Sequence, residues 1–130
     1  SRATDLHETD TSTELRPNAL ALFNPALGIR GSKTAAGLGL TEADIDALDF
    51  DDTIGADFPP AWIWYGGDDP IYHRAKPTID RMVRECPRID LLVEDGASHG
   101  YFNDFAPYFR SSLESFEGFL SSLGYIEVAR

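Results

Sequence analysis

Three short apolar runs divide the sequence, and turn-forming residues bound each of them. The runs cover residues 18–24, 61–65 and 89–94, and proline, glycine or an Asp-Gly pair lies beside each. Each run has the length of a buried strand. The first two are apolar almost throughout, which predicts strands that are covered on both faces.

Two amphipathic helices are predicted from apolar residues that recur three and four positions apart. Pro77 suits the first position of one helix, and Pro87 stops it. The apolar face of this helix comprises Ile79, Met82, Val83 and Cys86. Gly124 is placed as the C-terminal cap of the second helix. The apolar face of that helix comprises Phe109, Leu113, Phe116, Leu120 and Leu123.

The elements follow one another in the order strand, helical or irregular segment, strand, helix, strand, helix. This βαβ pattern predicts an α/β fold, a three-layer sandwich in which about three parallel strands are flanked by helices and joined by right-handed crossovers. Residues 1–17 are rich in Thr, Ser, Asp and Glu, which predicts a polar arm or linker. Residues 18–130 are then expected to form the folded domain.

The charge balance is strongly acidic, with 22 acidic and 11 basic residues among 130 and a formal net charge of -11. Nucleic acid is therefore not an expected partner, because a phosphate backbone requires a basic footprint. No apolar run approaches the roughly 20 residues that a membrane-spanning helix needs. The single cysteine, Cys86, can form neither an internal disulfide nor a cysteine-based zinc site.

Two further segments are expected to be structural and not to bind ligands. Within residues 41–57, Asp44 and Asp46 have the spacing of a calcium loop, but Leu48 occupies the third ligand position. We expect an exposed acidic helix there, with Ile45 and Leu48 facing inward. The glycine-rich residues 28–39 lack the P-loop pattern and are predicted to form a loop. The sequence therefore predicts no metal site and no cofactor.

The segments with the clearest chemistry follow the second and third predicted strands. Residues 65–70 contain Asp68 and Asp69, and residues 96–103 contain His99. Ligands of parallel sheets bind at the carboxyl ends of the strands, where an acid and a histidine can meet. A buried aspartate that accepts from a histidine N–H serves a hydrolytic triad. Two alternatives stay open: the aspartates as an Asx-turn and a helix cap, and His99 as a loop histidine bonded to backbone.

Four segments carry a resemblance to a known family. Residues 16–25 (RPNALALFNP) resemble the strand that follows the family's nucleophile half, and residues 60–70 (PAWIWYGGDDP) resemble its H-G-x-x-D acid turn. Residues 96–103 (GASHGYFN) resemble its G-x-x-H-G-F-x-N histidine loop, and residues 113–126 resemble its closing helix. In this order they are similar to the C-terminal half of an α/β-hydrolase of the acetyl-esterase and lipase-like branch.

The resemblance implies a role for two residues. Asp69 takes the position of the acid, with Asp68 as the fallback, and His99 takes the position of the base. Tyr65 stands where the family usually has a histidine that is not catalytic. The implied reaction is hydrolysis of a small-molecule ester: a serine attacks the carbonyl carbon, His99 transfers the proton, and Asp69 orients His99.

The family's nucleophile lies on a G-x-S-x-G elbow upstream of the acid. The one match in this sequence is residues 96–100, where Ser98 directly precedes His99. We expect Ser98 not to be the nucleophile, because it follows the acid and because adjacent residues on a tight loop rarely aim a hydroxyl at the imidazole. The oxyanion-hole element is missing as well. The chain is thus expected to be the acid- and histidine-bearing half of a larger domain, inactive alone, with the shortfall on its N-terminal side.

Half a sheet has a physical consequence for partners. The first predicted strand would expose an unpaired apolar edge, which is expected to recruit either the missing half or a second copy of the chain.

Two other functions compete with the hydrolase hypothesis. One is a non-catalytic interaction or scaffold domain with a degenerate hydrolase fold. A hydrogen bond between the Asp69 carboxylate and His99 would favour the hydrolase over this scaffold. The other, a flavodoxin-like binding domain, ranks last because no phosphate-binding loop is present.

Overall fold

The computed structural model describes residues 16–49, 51–103 and 108–127, so almost all of the predicted polar arm lies outside the described residues. Its centre is a three-stranded parallel sheet in the order β1-β2-β3. The strands are β1 (Leu20–Phe23), β2 (Ala61–Gly66) and β3 (Ile89–Glu94). All three predicted strands are therefore confirmed, the first of them two residues shorter at its start and one at its end.

Helices cover both faces of this sheet, which gives the predicted three-layer α/β sandwich. The helices are α1 (Lys33–Gly37), α2 (Glu42–Leu48), α3 (Pro70–Glu85) and α4 (Tyr108–Ser122), and 3-10 turns lie at Asp51–Thr53 and Tyr101–Asn103. Among the described residues, no helix is long and apolar enough to cross a membrane.

Strand β2 is the centre of the core, because all six of its residues are buried. Successive side chains of a strand point to opposite faces, so β2 supplies both halves of the core. On one face Ile63 packs in a cluster with Ile79 and Met82 of α3. On the other face Trp62 and Trp64 pack in a second cluster with Phe119 of α4. The Trp62 indole Nε1–H also donates to Ser115 Oγ of α4 at 3.0 Å.

The prediction that a helix begins at Pro77 is wrong, because α3 begins at Pro70 and Pro77 lies inside it. Asp69 caps the helix by accepting a hydrogen bond from the Ile71 backbone N–H, and Pro70 follows at the first helical position. Pro77 has no N–H to donate to the carbonyl of the preceding turn. It is exposed, so water can serve that carbonyl instead. The Asp69 cap and Pro70, both upstream of Pro77, therefore set the start of the helix.

The pattern also misjudged five apolar side chains, two of which are Phe109 and Leu113 of α4, 43% and 44% exposed. Leu48 is 59% exposed and Val83 is 53% exposed, although Ile45 and Met82 beside them are buried as predicted. Leu48 is the last residue of a seven-residue helix, and Val83 lies at the margin of its helix face. Phe23 of β1 is also exposed, because in the described part of the chain β1 has β2 as its one strand neighbour. The prediction that β1 is covered on both faces is therefore wrong.

The glycine-rich segment differs from its prediction as well, because it contains the five-residue helix α1 where a loop was expected. Ser32 caps this helix by accepting a hydrogen bond from the Ala35 N–H at 3.1 Å. Helix α4 ends as predicted, because Gly124 follows it with a left-handed φ of 77°.

We expect the burial of α3 to dominate the stability of the sheet. Ile79→Ala should lower the free energy of unfolding by about 2–5 kcal/mol, because it leaves a cavity between α3 and β2. Val83→Ala, on the exposed side of the same helix, should change it by no more than about 0.5 kcal/mol. Urea denaturation followed by tryptophan fluorescence measures both. Equal effects of the two substitutions would contradict the packing described above.

Candidate active site at the carboxyl ends of the strands

An aspartate and a histidine meet where β2 and β3 end. Asp69 follows β2 and His99 follows β3, and Asp69 Oδ2 lies 2.8 Å from His99 Nδ1. The Asp69 side chain is 0% exposed, whereas the His99 side chain is 55% exposed. With Nδ1–H donating to the buried carboxylate, the second ring nitrogen, Nε2, keeps its lone pair. The pair therefore combines a buried carboxyl group with an accessible imidazole.

Asp69 uses its two carboxylate oxygens for two different partners. Oδ1 accepts from the backbone N–H of Ile71 at 2.8 Å and so caps α3, and Oδ2 faces His99. The helix-cap interpretation and the histidine-acceptor interpretation of the sequence are thus both realised in one residue. Because each oxygen has a fixed partner, the plane of the carboxylate is set by the start of the helix.

Asp68 does not face the histidine. It is exposed, and its backbone N–H donates to the carbonyl of Ala97 at 3.0 Å. The two adjacent aspartates differ because of their places in the turn. Asp68 bonds to the neighbouring loop through its backbone, and Asp69 is buried beneath that loop. The structure therefore places Asp69, and not the fallback Asp68, beside His99.

The acid turn and the histidine loop touch backbone to backbone. A Cβ atom on Gly66 would lie 2.3 Å from the Ala97 carbonyl oxygen and 2.6 Å from that of Ser98. The next residue, Gly67, donates its N–H to Glu94 O at 2.7 Å. No residue with a side chain fits at position 66 without separating the two loops. The Gly-Gly pair of the sequence is explained by this contact.

Aromatic residues beyond His99 anchor its loop in the core. Tyr101 is buried and meets the Trp64 ring edge-on, with ring centroids 5.0 Å apart. Phe102 packs on the same indole, with centroids 5.1 Å apart. Burial raises the pKa of the Tyr101 hydroxyl above its ordinary value, so this group stays protonated and does not serve as a base. These aromatic residues pack the loop from beneath.

Ser98 lies on this loop without the surroundings of a nucleophile elbow. Strand β3 ends at Glu94, and the residues after Gly100 form the 3-10 turn Tyr101–Asn103. An elbow passes from a strand directly into a helix, and no helix begins within those residues. The geometry supports the expectation that Ser98 is not the nucleophile.

The end of β1 also lies at the site, which the sequence did not predict. Asn24 directly follows β1, is buried, and adopts a left-handed φ of 43°. The signal was an asparagine before a proline at the end of an apolar run, which indicates a turn but not a contact. Among the described residues, no group of three or more His, Cys, Asp or Glu side chains is arranged to hold a metal ion.

Structures of esterase 2 from the Planctomycetes species Thermogutta terrifontis, a thermophilic esterase, share this fold. The propionate-bound form is 26% identical, with a TM-score of 0.72 over 97% of this chain and 51% of that chain. The native form is 26% identical, with a TM-score of 0.71 over 94% and 49%. The form phosphorylated by paraoxon is 27% identical, with a TM-score of 0.69 over 86% and 42%.

The chain therefore spans about half the length of the esterase structures it matches. No protein-family model matches the chain, and no curated protein matches it. Its three parallel strands and flanking helices are those of part of an α/β-hydrolase domain, similar to an esterase.

The close contact at Gly66 makes a testable prediction. Gly66→Ala should lower the free energy of unfolding by about 1–3 kcal/mol, because the methyl group has to displace two carbonyl groups. It should also weaken the low-field proton NMR signal of His99 Nδ1–H, because the loops separate.

Gly118→Ala is the matched control. A Cβ at Gly118 of α4 meets nothing within 4 Å. This substitution should raise stability by about 0.5–1 kcal/mol, as expected for an exposed helical glycine. A Gly66→Ala variant with unchanged stability and an unchanged His99 signal would contradict the contact.

Proposed function

We propose that residues 18–130 are the acid- and histidine-bearing part of a Ser-His-Asp carboxylic ester hydrolase. The observation that carries this proposal is the 2.8 Å contact between buried Asp69 Oδ2 and His99 Nδ1, with most of the imidazole exposed. The esterase fold over about half of the matching chains supports it. The nucleophilic serine and the oxyanion hole are proposed to come from outside residues 18–130.

The proposed mechanism assigns one step to each residue. His99 Nε2 takes the proton of the serine hydroxyl as the serine oxygen attacks the ester carbonyl, and then gives it to the departing alcohol. A water molecule repeats the sequence on the acyl-enzyme and releases the acid. Asp69 keeps Nδ1–H bonded throughout and stabilises the imidazolium that forms. We propose a small-molecule ester as the substrate of the complete enzyme.

The open edge of β1 is the proposed place where the nucleophile-bearing part joins. Leu20 donates its N–H to the carbonyl of Pro60, directly before β2, at 2.9 Å, and Asn24 donates to Trp64 of β2 at 2.8 Å. Because donors alternate along a parallel strand, the N–H groups of Ala21 and Phe23 point to the opposite, open side. An incoming strand can pair with them.

Apolar grooves flank this edge on both faces of the sheet. One groove, of about 640 Å³, is lined in part by Leu20, Leu22, Phe58 and Pro59. The other, of about 280 Å³, is lined in part by Phe23, Trp62, Phe109, Leu113 and Phe116. Apolar surface on both sides of an unpaired edge fits a partner that continues the sheet and covers both faces.

The proposal predicts no turnover by the chain alone and turnover once a nucleophile is supplied. The chain alone should not hydrolyse p-nitrophenyl butyrate at a steady rate. Fused to the portion of Thermogutta esterase 2 that it does not match, it should hydrolyse this ester. In that fusion His99→Ala and Asp69→Asn should each lower kcat by about 10³-fold or more, because triad members act as a unit.

His73→Ala is the control for this experiment, because His73 is an exposed histidine on α3. It should leave the rate of the fusion unchanged. A steady rate by the chain alone that His99→Ala abolishes would place the nucleophile within the chain. A folded fusion that is as inactive as its His99→Ala variant would favour the non-catalytic scaffold domain.

The open edge predicts self-association when no other partner is present. Light scattering after size-exclusion chromatography should show dimers that form with rising protein concentration. Ala21→Pro should abolish them, because it removes an outward N–H and keeps the bonds to β2. Ala21→Ser keeps that N–H and should still dimerise. A monomer at every concentration would contradict pairing through β1.

A further inference from the structure

Asn24 connects the ends of all three strands. It follows β1, is 8% exposed, and holds a left-handed φ of 43°. Left-handed backbone is uncommon for residues other than glycine, and asparagine is among those that tolerate it best. A buried, non-glycine residue in this conformation needs surrounding contacts that hold it there.

The contacts of Asn24 account for this conformation. Its backbone N–H donates to the Trp64 carbonyl at 2.8 Å. The side-chain amide is assigned the orientation that satisfies both of its neighbours: its nitrogen then donates to the same carbonyl at 3.2 Å, and its oxygen accepts from the Gly100 N–H at 3.0 Å. One side chain thus joins β2, through Trp64, to the residue that directly follows His99.

A second contact secures the Asn24 segment from below. The hydroxyl of buried Tyr65 donates to the carbonyl of Pro25 at 2.6 Å. Burial raises the pKa of the Tyr65 hydroxyl, so this group remains a donor. The chain after β1 is therefore held at Asn24 and at Pro25 by neighbouring residues of β2.

His99 is restrained from one side by Asp69, and its loop is restrained from the other side by Asn24. Gly100 has a left-handed φ of 73°, and a glycine has a wide range of backbone conformations, so a bond to its N–H restrains the loop at that point. The Asn24 side chain, directly after β1, fixes the N–H of Gly100, the residue next to His99. Loss of the bond between Asn24 and the Gly100 N–H frees the part of the loop that Asp69 does not restrain.

We propose that Asn24 is a positioning residue for His99: it fixes the Gly100 amide so that Nδ1 stays on Asp69 and Nε2 faces the reacting groups. The catalytic meaning of this role rests on the proposed function. The positioning itself does not, because it concerns contacts within this chain.

The role requires the amide oxygen of Asn24 as the acceptor for the Gly100 N–H, which suggests three variants. Asn24→Gly tolerates the left-handed backbone and removes the donor and the acceptor together. Asn24→Asp keeps the acceptor for Gly100 and loses the donor to Trp64. Asn18→Gly makes the same asparagine-to-glycine change at an exposed residue before β1 and serves as the control.

NMR spectroscopy of the 130-residue chain tests the proposal without any activity. Hydrogen exchange of the Gly100 amide reports the tether, and ¹⁵N shifts of the His99 ring with the Nδ1–H proton signal report its position. Asn24→Gly should speed exchange at Gly100 by about tenfold or more and weaken the Nδ1–H signal, while the β3 amides stay protected. Asn24→Asp should keep exchange within about threefold of the parent chain. Asn18→Gly should change neither.

Each result decides the proposal. If Asn24→Gly speeds exchange at Gly100 but leaves the His99 ring signals unchanged, Asn24 does not position His99. If Asn24→Asp behaves like Asn24→Gly, the acceptor to Gly100 is not the contact that matters, and the proposal is overturned. If the fused esterase proves inactive while these NMR results hold, the proposed function fails and the positioning role stands.

Discussion

The candidate site depends on the contact of two backbones at Gly66. Strands β2 and β3 run parallel, so their carboxyl ends leave the sheet side by side, about 4.8 Å apart. The loops that follow stay in contact because Gly66 has no side chain to separate them from Ala97 and Ser98. The Gly67 and Asp68 amides then bond to the third-strand side, at Glu94 and Ala97. Because the two loops touch at Gly66, buried Asp69 can reach His99 on the neighbouring loop.

The burial of Asp69 links stability to the proposed chemistry. A carboxylate removed from water costs several kcal/mol unless hydrogen bonds and charge compensate it. Asp69 has two such partners, the first turn of α3 and the ring of His99. The helix N-terminus also favours negative charge at this position. The residue that starts α3 is therefore the residue that orients the imidazole, and the helix cannot shift without moving the base.

The sequence predicted the positions of the strands and helices better than the burial of their side chains. Strand β3 and helix α4 were located closely because turn residues and a clear period bound them. The meeting of Asp69 with His99 followed from the rule that parallel strands end at one edge. The start of α3 was missed because Pro77 is tolerated inside the helix, where the carbonyl of the preceding turn that lacks its N–H donor can meet water. The sequence did not predict the exposure of Val83 and Phe23. The spacing of apolar residues identifies one face of a helix or strand, but it does not show which other element covers that face.

Asn24 shows a different limit of sequence reasoning. Its neighbours in sequence indicate a turn, and nothing there names Gly100, which belongs to a loop beyond two further strands. The contact exists because β1 pairs with β2 in one register, Phe23 beside Trp64, which places the next residue against the Trp64 carbonyl. Contacts of this kind follow from strand register and are visible only after the sheet is assembled.

The exposed apolar surface beside β1 and the Asp69–His99 pair are separate parts of the molecule. Phe23, Phe109 and Leu113 are exposed and line one groove beside β1, on the side of the sheet away from β3. The Asp69–His99 pair, in contrast, lies within the described residues, together with the contacts of Asn24 and Gly66 that hold its loop. A nucleophile-bearing partner would therefore gain binding energy at the β1 edge and find the base already oriented. Preorganisation of this kind would lower the cost of forming a working site, because the join requires burial of surface and no rearrangement of Asp69 and His99.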